Sequence, residues 1–282
     1  MTALEAVGVH GFAPIGLDEL NAVAALQTRV DRKYLVPMVR LDGVLADFDE
    51  GTMALEIDGI RAALYESTYF DTVSLESYRA AAHRRRRRFK VRTRAYLDST
   101  ECYLEVKTRG GRSLTVKERI AHPVERRARL TSEGLEYVDD AFTRAGIAGD
   151  NQLAASQLQP TMITRYRRST LYLPASNSRA TVDLDLSWTT TSGPSRNGAT
   201  MRTPGIAIVE TKSGSTPSRV DRVLWNHGIR PVNISKYGVG MAAMHPALPR
   251  NKWHRVLETQ LLPAATGIPL PNRTPSPNGQ ET

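Results

Sequence analysis

Only one cysteine, Cys102, occurs in the chain. A lone thiol excludes an internal disulfide framework and any zinc site built on cysteine pairs, as a reducing compartment permits. Long apolar runs are also missing: no stretch approaches the ~20 residues that a membrane-spanning helix requires. The first twenty residues carry Glu5 and have neither the basic start nor the apolar run of a secretory leader. The expectation is a soluble, cytoplasmic chain. Aromatic residues are sparse, and Trp188, Trp225 and Trp253 are dispersed, which suits core packing better than a base-stacking platform. His83, His122 and His227 have no ligand spacing to one another, so any metal falls to carboxylates. Neither Gly-x-Ser-x-Gly nor Gly-x-x-x-x-Gly-Lys occurs, and Ser213-Gly-Ser-Thr216 is read as a turn.

What the chain does have is positive charge. Its 282 residues include 38 Lys and Arg against 29 Asp and Glu, a formal charge of +9, with a pI near 9.8. The long-range field therefore attracts anions. With no internal repeat and no long linker, one domain over residues 17–243 is expected. Residues 1–16 read as a loose leader and 244–282 as a Pro-rich tail outside the fold.

Short alternating runs rich in β-branched and aromatic residues predict strands at 29–36, 65–70, 89–96, 102–108, 114–120, 161–172, 180–188, 205–212 and 233–236. Helices are predicted over 38–48, 131–145 and 217–227. Many strands and few helices suggest an α+β fold built on a closed antiparallel β-barrel with helices packed outside.

Side chains at i, i+2 and i+4 share a strand face. Lys90, Arg92 and Arg94 thus fall opposite Phe89, Val91 and Thr93. Glu105 and Lys107 fall opposite Leu104 and Val106, and Lys117 and Arg119 opposite Val116 and Ile120. Arg179, Asp183 and Asp185 alternate with Ala180, Val182, Leu184 and Leu186, while Glu210 and Lys212 end an apolar run. A single strand of this kind ordinarily turns its polar face to water. If helices cover the apolar side of them all, the charged faces line a wet interior that needs a polyanion to neutralise it. Guanidinium and ammonium groups suit phosphate oxygens, and isolated carboxylates among them suit Mg²⁺ or Mn²⁺.

In this order, Arg29-Val-Asp-Arg-Lys33, Tyr69-Phe-Asp-Thr72, Lys90-Val-Arg-Thr-Arg94, Leu104-Glu-Val-Lys107, Val116-Lys-Glu-Arg119, Tyr166-Arg-Arg168, Thr181-Val-Asp-Leu-Asp185, Val209-Glu-Thr-Lys212 and Ile234-Ser-Lys-Tyr237 resemble the VTC or polyphosphate polymerase domain of the triphosphate tunnel metalloenzyme (CYTH-like) superfamily. The resemblance implies a tunnel barrel that binds ATP and polyphosphate, and transfer of the γ-phosphoryl group to the growing chain with Mn²⁺ or Mg²⁺. It implies catalytic roles for Arg92, Arg94, Lys107 and Glu210. Substrate contacts are implied at Arg29, Lys33, Lys90, Lys117, Tyr166, Arg168, Arg179 and Lys236. Glu210 is the implied metal ligand, with Glu105 as a second candidate. Hydrolytic relatives begin with Glu-x-Glu-x-Lys, whereas here Arg29 stands at the first position, which favours a polymerase-like site; Asp31 keeps hydrolysis open.

The alternatives are a metal-dependent inorganic triphosphatase and a non-catalytic polyphosphate or nucleic-acid binding module. No nucleic-acid partner is expected, a membrane partner protein stays open, and the oligomeric state is undetermined. The run Arg84–Arg88 is read as a collar at the tunnel entrance rather than a nucleic-acid patch.

Overall fold

The computed structural model describes residues 8–23, 30–109, 115–147, 153–191 and 198–267. Arg29 and most of the turn cluster at 191–198 lie outside the described residues. The strands are β1 (Ala13–Ile15), β2 (Val30–Pro37), β3 (Met53–Leu55), β4 (Ala63–Asp71), β5 (Arg88–Tyr96), β6 (Cys102–Arg109), β7 (Thr115–Ala121), β8 (Gln159–Leu173), β9 (Ser178–Thr190), β10 (Thr200–Arg202) and β11 (Ile206–Ser213). The helices are α1 (Leu17–Val23), α2 (Met38–Ala46), α3 (Glu76–Ala82), α4 (Ser132–Ala145), α5 (Arg219–Asn226), α6 (Lys236–Met244) and α7 (His254–Val256). None is long and apolar enough to cross a membrane.

The architecture is α+β. One sheet of eleven strands runs in the order β2-β11-β9-β8-β4-β5-β6-β7, with β10 beside β9, β3 beside β8, and β1 parallel to β3. Every other ladder is antiparallel. Among the described residues no ladder joins β7 to β2, so in place of the expected closed barrel there is an open, curled sheet. β7 is suited to an edge: it has only seven residues, and Lys117, Glu118 and Arg119 put charge on both its faces, which resists further pairing. The curl still brings Asp31 and Lys33 of β2 and Lys117 of β7 to one cavity.

Helices cover the outer face as the alternation requires. Val138, Ala141 and Phe142 of α4 pack on Phe89 and Val91 of β5 and Leu104 and Val106 of β6. Leu41, Val44 and Leu45 of α2 and Val220, Val223 and Leu224 of α5 pack on Tyr34, Val182 and Val209. Burying a large apolar side chain contributes about 1.5–3 kcal/mol, so these patches fix which sheet face turns inward. Two buried carboxylates pin helix starts to the sheet. Asp221 of α5 accepts from Tyr34 and Thr211 hydroxyls, each at 2.6 Å. Asp71 accepts from the backbone N–H of Ser77 and Tyr78 at 2.9 Å and from the Tyr237 hydroxyl at 2.6 Å.

A third cluster fills one end of the inner face. There α6 and the segment after it set Tyr237, Met241, Trp253 and Leu257 against Tyr69, Met162 and Trp188. The strand predicted at 233–236 is instead the approach to α6, whose first turn is capped by Ser235 accepting from the Gly238 N–H at 3.1 Å. Gly238 and Gly240 obscure this helix in the sequence, since glycine disfavours helical backbone. They are required because a Cβ at either position would overlap Trp253 or Trp188. Both segments expected outside the fold contribute buried side chains where they are described: Val9 and Ile15 before it, Trp253, Leu257 and Leu261 after it.

One inferred face is corrected. Asp185 takes φ +52° at a register shift between β8 and β9 and is exposed, so it does not join Asp183. A bulge adds one residue and inverts the alternation beyond it. Leu186 and Trp188 therefore join the inner cluster while Val182 and Leu184 pack outside.

Candidate functional site

The inner face opens into a cavity of about 400 Å³ lined by twelve Lys and Arg side chains and three carboxylates, Asp31, Glu105 and Glu210. Curling brings together strands remote in sequence, and the two-residue period of each aims its charged side chains the same way. Thr, Tyr, Asn and Ser complete the lining, with few apolar groups.

Three carboxylates organise the wall. Glu105 accepts from Arg92 through Nε at 2.8 Å and Nη2 at 2.6 Å and from Lys117 Nζ at 2.9 Å, with Arg94 Nη1 at 3.6 Å. Burial alone would raise its pKa, but Arg92, Arg94 and Lys117 outweigh that and hold it well below the usual carboxylate range. Asp183, fully buried, takes a bidentate pair from Arg168 at 2.6 and 2.8 Å and a bond from Lys236. Desolvation is again overcome, here by Arg168 and Lys236, and the carboxyl is lowered to about 2. Glu210 lies 2.9 Å from Lys212 Nζ and 3.5 Å from Lys33 Nζ. Those two and Arg168 overcome its burial and hold it well below its ordinary value.

Elsewhere the wall lacks such partners. Lys90 opposes Lys107 across β5 and β6, and Lys107 opposes Lys117 across β6 and β7. Arg88 opposes Arg109 in the same way. Burial, then Arg92, Lys107 and Lys33, depress the Lys90 ammonium to about 7. Lys107 is depressed by burial and Lys33. Like charges facing one another across strands are destabilising, so this part of the wall is held by the fold against its own repulsion.

Tyr166 lies beneath both groups. Its hydroxyl is buried without a hydrogen-bond partner. The Lys236 ammonium sits 4.3 Å from its ring centroid and the Arg168 guanidinium 5.3 Å. Burial pushes the phenol up, but Arg94, Arg168 and Lys236 prevail and draw it below its ordinary value.

The cavity gathers nearly all the residues singled out in the sequence: Arg92, Arg94, Lys107, Glu210, Lys33, Lys90, Lys117, Tyr166, Arg168, Lys236 and Glu105. Arg179 is not in its lining; it opposes Lys212 across the ladder, and its Nη2 donates to the Leu20 carbonyl. Glu105, the second metal candidate, is engaged by three cations and serves as their counter-ion. Arg109, Lys212 and Lys252 also line the cavity and Asp183 anchors Arg168 and Lys236, none of them among the site residues the resemblance implies, while Arg88 brings the end of the run read as a collar into the lining. The alternation signalled Asp183 and Lys212. Nothing signalled Lys252, which follows a Pro-rich stretch.

Among the described residues no group of three His, Cys, Asp or Glu gathers to hold a metal by itself. Glu210, paired with Lys212 and Lys33, and Asp31 are the other carboxylates lining the cavity. Such a set fits a magnesium-like ion that completes its shell with phosphate oxygens and water. Chemically the wall is a preorganised array of donors and positive charge suited to an extended phosphate anion.

A family model described as the VTC domain matches residues 28–245. No curated protein matches the chain. Among solved structures, a candidate adenylate cyclase from Bacillus halodurans is 16% identical with a TM-score of 0.44, over 74% of this chain and 94% of that one. A candidate adenylyl cyclase from Hippeastrum, described as having a dominant triphosphatase activity, is 14% identical with a TM-score of 0.44, over 76% and 96%. The PH1819 protein of Pyrococcus horikoshii is 11% identical with a TM-score of 0.39, over 75% and 97%.

Proposed function

Since the chain belongs to the VTC domain family, we propose that it is a metal-dependent enzyme that transfers the γ-phosphoryl group of ATP to a polyphosphate chain held in its basic cavity. The observation that carries this reading is the lining itself, twelve cations against three carboxylates on the concave side of one curled sheet. In this reading the curl acts as a tunnel completed by side chains rather than by a last ladder.

A terminal phosphate oxygen of the chain attacks the γ-phosphorus. The bond from that phosphorus to the β–γ bridging oxygen breaks, and its electron pair leaves with ADP. The nucleophile is already an anion, so no general base is needed, and catalysis rests on alignment and charge stabilisation. Arg92 and Arg94, fixed by Glu105, and Arg168 and Lys236, fixed by Asp183, align the equatorial oxygens. Lys107, which lacks a dedicated partner, follows the charge as it moves. Glu210, with Asp31, would hold Mn²⁺ or Mg²⁺ together with substrate oxygens. A metal held there would supply positive charge to offset that of the phosphates.

Incubating the purified protein with ATP and Mn²⁺ or Mg²⁺ tests the proposal. ADP and acid-insoluble polyphosphate should form together. Orthophosphate with no chain would instead establish the triphosphatase reading, which Asp31 in the lining favours. The absence of both products would refute catalysis.

A further inference from the structure

Beside the cavity lies a second concentration of charge for which the reaction has no use. Helix α3 ends at Ala82 with His83 as its C-cap, and the backbone turns out through Arg84 in the left-handed region, φ +55°. Backbone bonds from Arg84 to Ala81 at 3.2 Å and from Arg85 to Ala80 at 2.9 Å close the helix end. A non-glycine residue in this conformation carries local strain and holds the chain in one direction. The next residues, Arg85, Arg86 and Arg87, are exposed, and the run enters β5 at Arg88, which lines the cavity. The Arg88 guanidinium donates to the Arg85 carbonyl at 3.0 Å, tying the run to the cavity edge.

No carboxylate among the described residues forms an ion pair with Arg84–Arg88, with Arg109 opposite Arg88, or with Lys252 nearby. They act on one another instead: after burial, Arg88 and Arg84 lower the Lys252 ammonium, and Arg109 lowers Arg88. Deeper in the wall Glu105, Asp183 and Glu210 hold most of the cations, Lys90 and Lys107 excepted. A solvated basic run is common and needs no ligand. This one is continuous with a cavity of the same sign and has no interleaved exposed aromatic, the feature a single-stranded nucleic acid would stack on.

We propose that Arg84–Arg87 form an outer subsite that binds the phosphates of a long polyphosphate chain beyond those held in the cavity, so that the protein distinguishes chains by length. The proposal rests on the polyphosphate reading of the cavity. It adds that affinity grows with chain length past the point where the cavity is filled, through contacts that are exposed and therefore salt-sensitive.

The test is a titration of the full chain and of its fourfold variant Arg84→Ser, Arg85→Ser, Arg86→Ser, Arg87→Ser with tripolyphosphate, long-chain polyphosphate and a single-stranded oligonucleotide at two salt concentrations. The variant should bind long polyphosphate about tenfold more weakly, as the loss of four exposed charge contacts implies. Its affinity for tripolyphosphate should change less than twofold, which also establishes that it is folded. Equal weakening for both phosphates, or for neither, would overturn the subsite. Loss confined to the oligonucleotide would overturn it in favour of nucleic acid. Failure of the unsubstituted protein to bind tripolyphosphate would overturn the cavity reading and the subsite with it. Intact tripolyphosphate binding without length discrimination would overturn the subsite alone.

Discussion

Two neighbouring rows of side chains cross the same three strands, β5, β6 and β7, and are built on opposite principles. One row reads Arg92, Glu105, Arg119, with the carboxylate between the cations; the next reads Lys90, Lys107, Lys117. In the first, the Arg92 guanidinium locks onto Glu105 across the ladder, while Arg119 turns to the Tyr103 ring, 4.4 Å from its centroid. In the second, three lysines stand in register, and while the Lys117 ammonium reaches back to Glu105 at 2.9 Å, Lys90 and Lys107 have no such counter-ion. The difference separates two functions of a cation in a binding site. A compensated guanidinium is an architectural part that also presents donors, whereas an uncompensated ammonium stores unfavourable energy that an arriving anion releases.

Removing a counter-ion tests the first principle hardest. Asp183→Ala strands Arg168 and Lys236 against Tyr166, and breaking a buried pair in this way costs about 3–5 kcal/mol. Denaturant unfolding should register that loss, and tripolyphosphate should recover part of it. A loss below about 1 kcal/mol would show that these cations need no anchor. Glu105→Gln should act the same way on a smaller scale, about 2 kcal/mol, while tightening tripolyphosphate binding as Arg92, Arg94 and Lys117 are released. A loss of metal dependence in that variant would instead make Glu105 a metal ligand.

The second principle has a pH signature. The Lys90 ammonium titrates near 7 rather than in the usual lysine range. Between those values the unfolded chain holds a proton that the folded one has released, so the stability of the ligand-free protein rises with pH across this window. The penalty is fully present below about pH 7. Anion affinity should run the other way, falling severalfold between about pH 6 and pH 8 as Lys90 loses its charge. Calorimetric titrations across that range, beside Lys90→Met, would reveal it. A flat profile would place the charge elsewhere. The smallest effect serves as a control. Arg144 and Glu118 pair at 3.1 Å on the exposed side of β7 and α4, and Arg144→Ala should change stability by less than about 0.5 kcal/mol.

Much of this wall is legible along single strands. The alternation of Lys90, Arg92 and Arg94 with Phe89, Val91 and Thr93 requires only the two-residue period of a strand, and α4 packs where that period places the apolar residues. The opposition of Lys90 and Lys107 is not legible, because pairing depends on register, which turns and long-range packing set. The outward turn of Asp185 escapes the same reading, since a bulge leaves no local mark other than an unusual φ. Lys252 and the aromatic plug were hidden for another reason: Pro-rich surroundings suggested an unstructured tail, while Trp253 is anchored by contacts with residues far away in the chain. That no ladder joins β7 to β2 among the described residues is a property of the whole sheet and is carried by no single residue.

The division between compensated and uncompensated cations is tested most directly by the double variant Lys90→Met, Lys107→Met, followed by calorimetric titration with tripolyphosphate and by thermal unfolding without it. The account predicts a ligand-free protein with a higher Tm than the unsubstituted chain and an affinity for tripolyphosphate at least about tenfold weaker. Unchanged affinity, or a lower Tm, would contradict it.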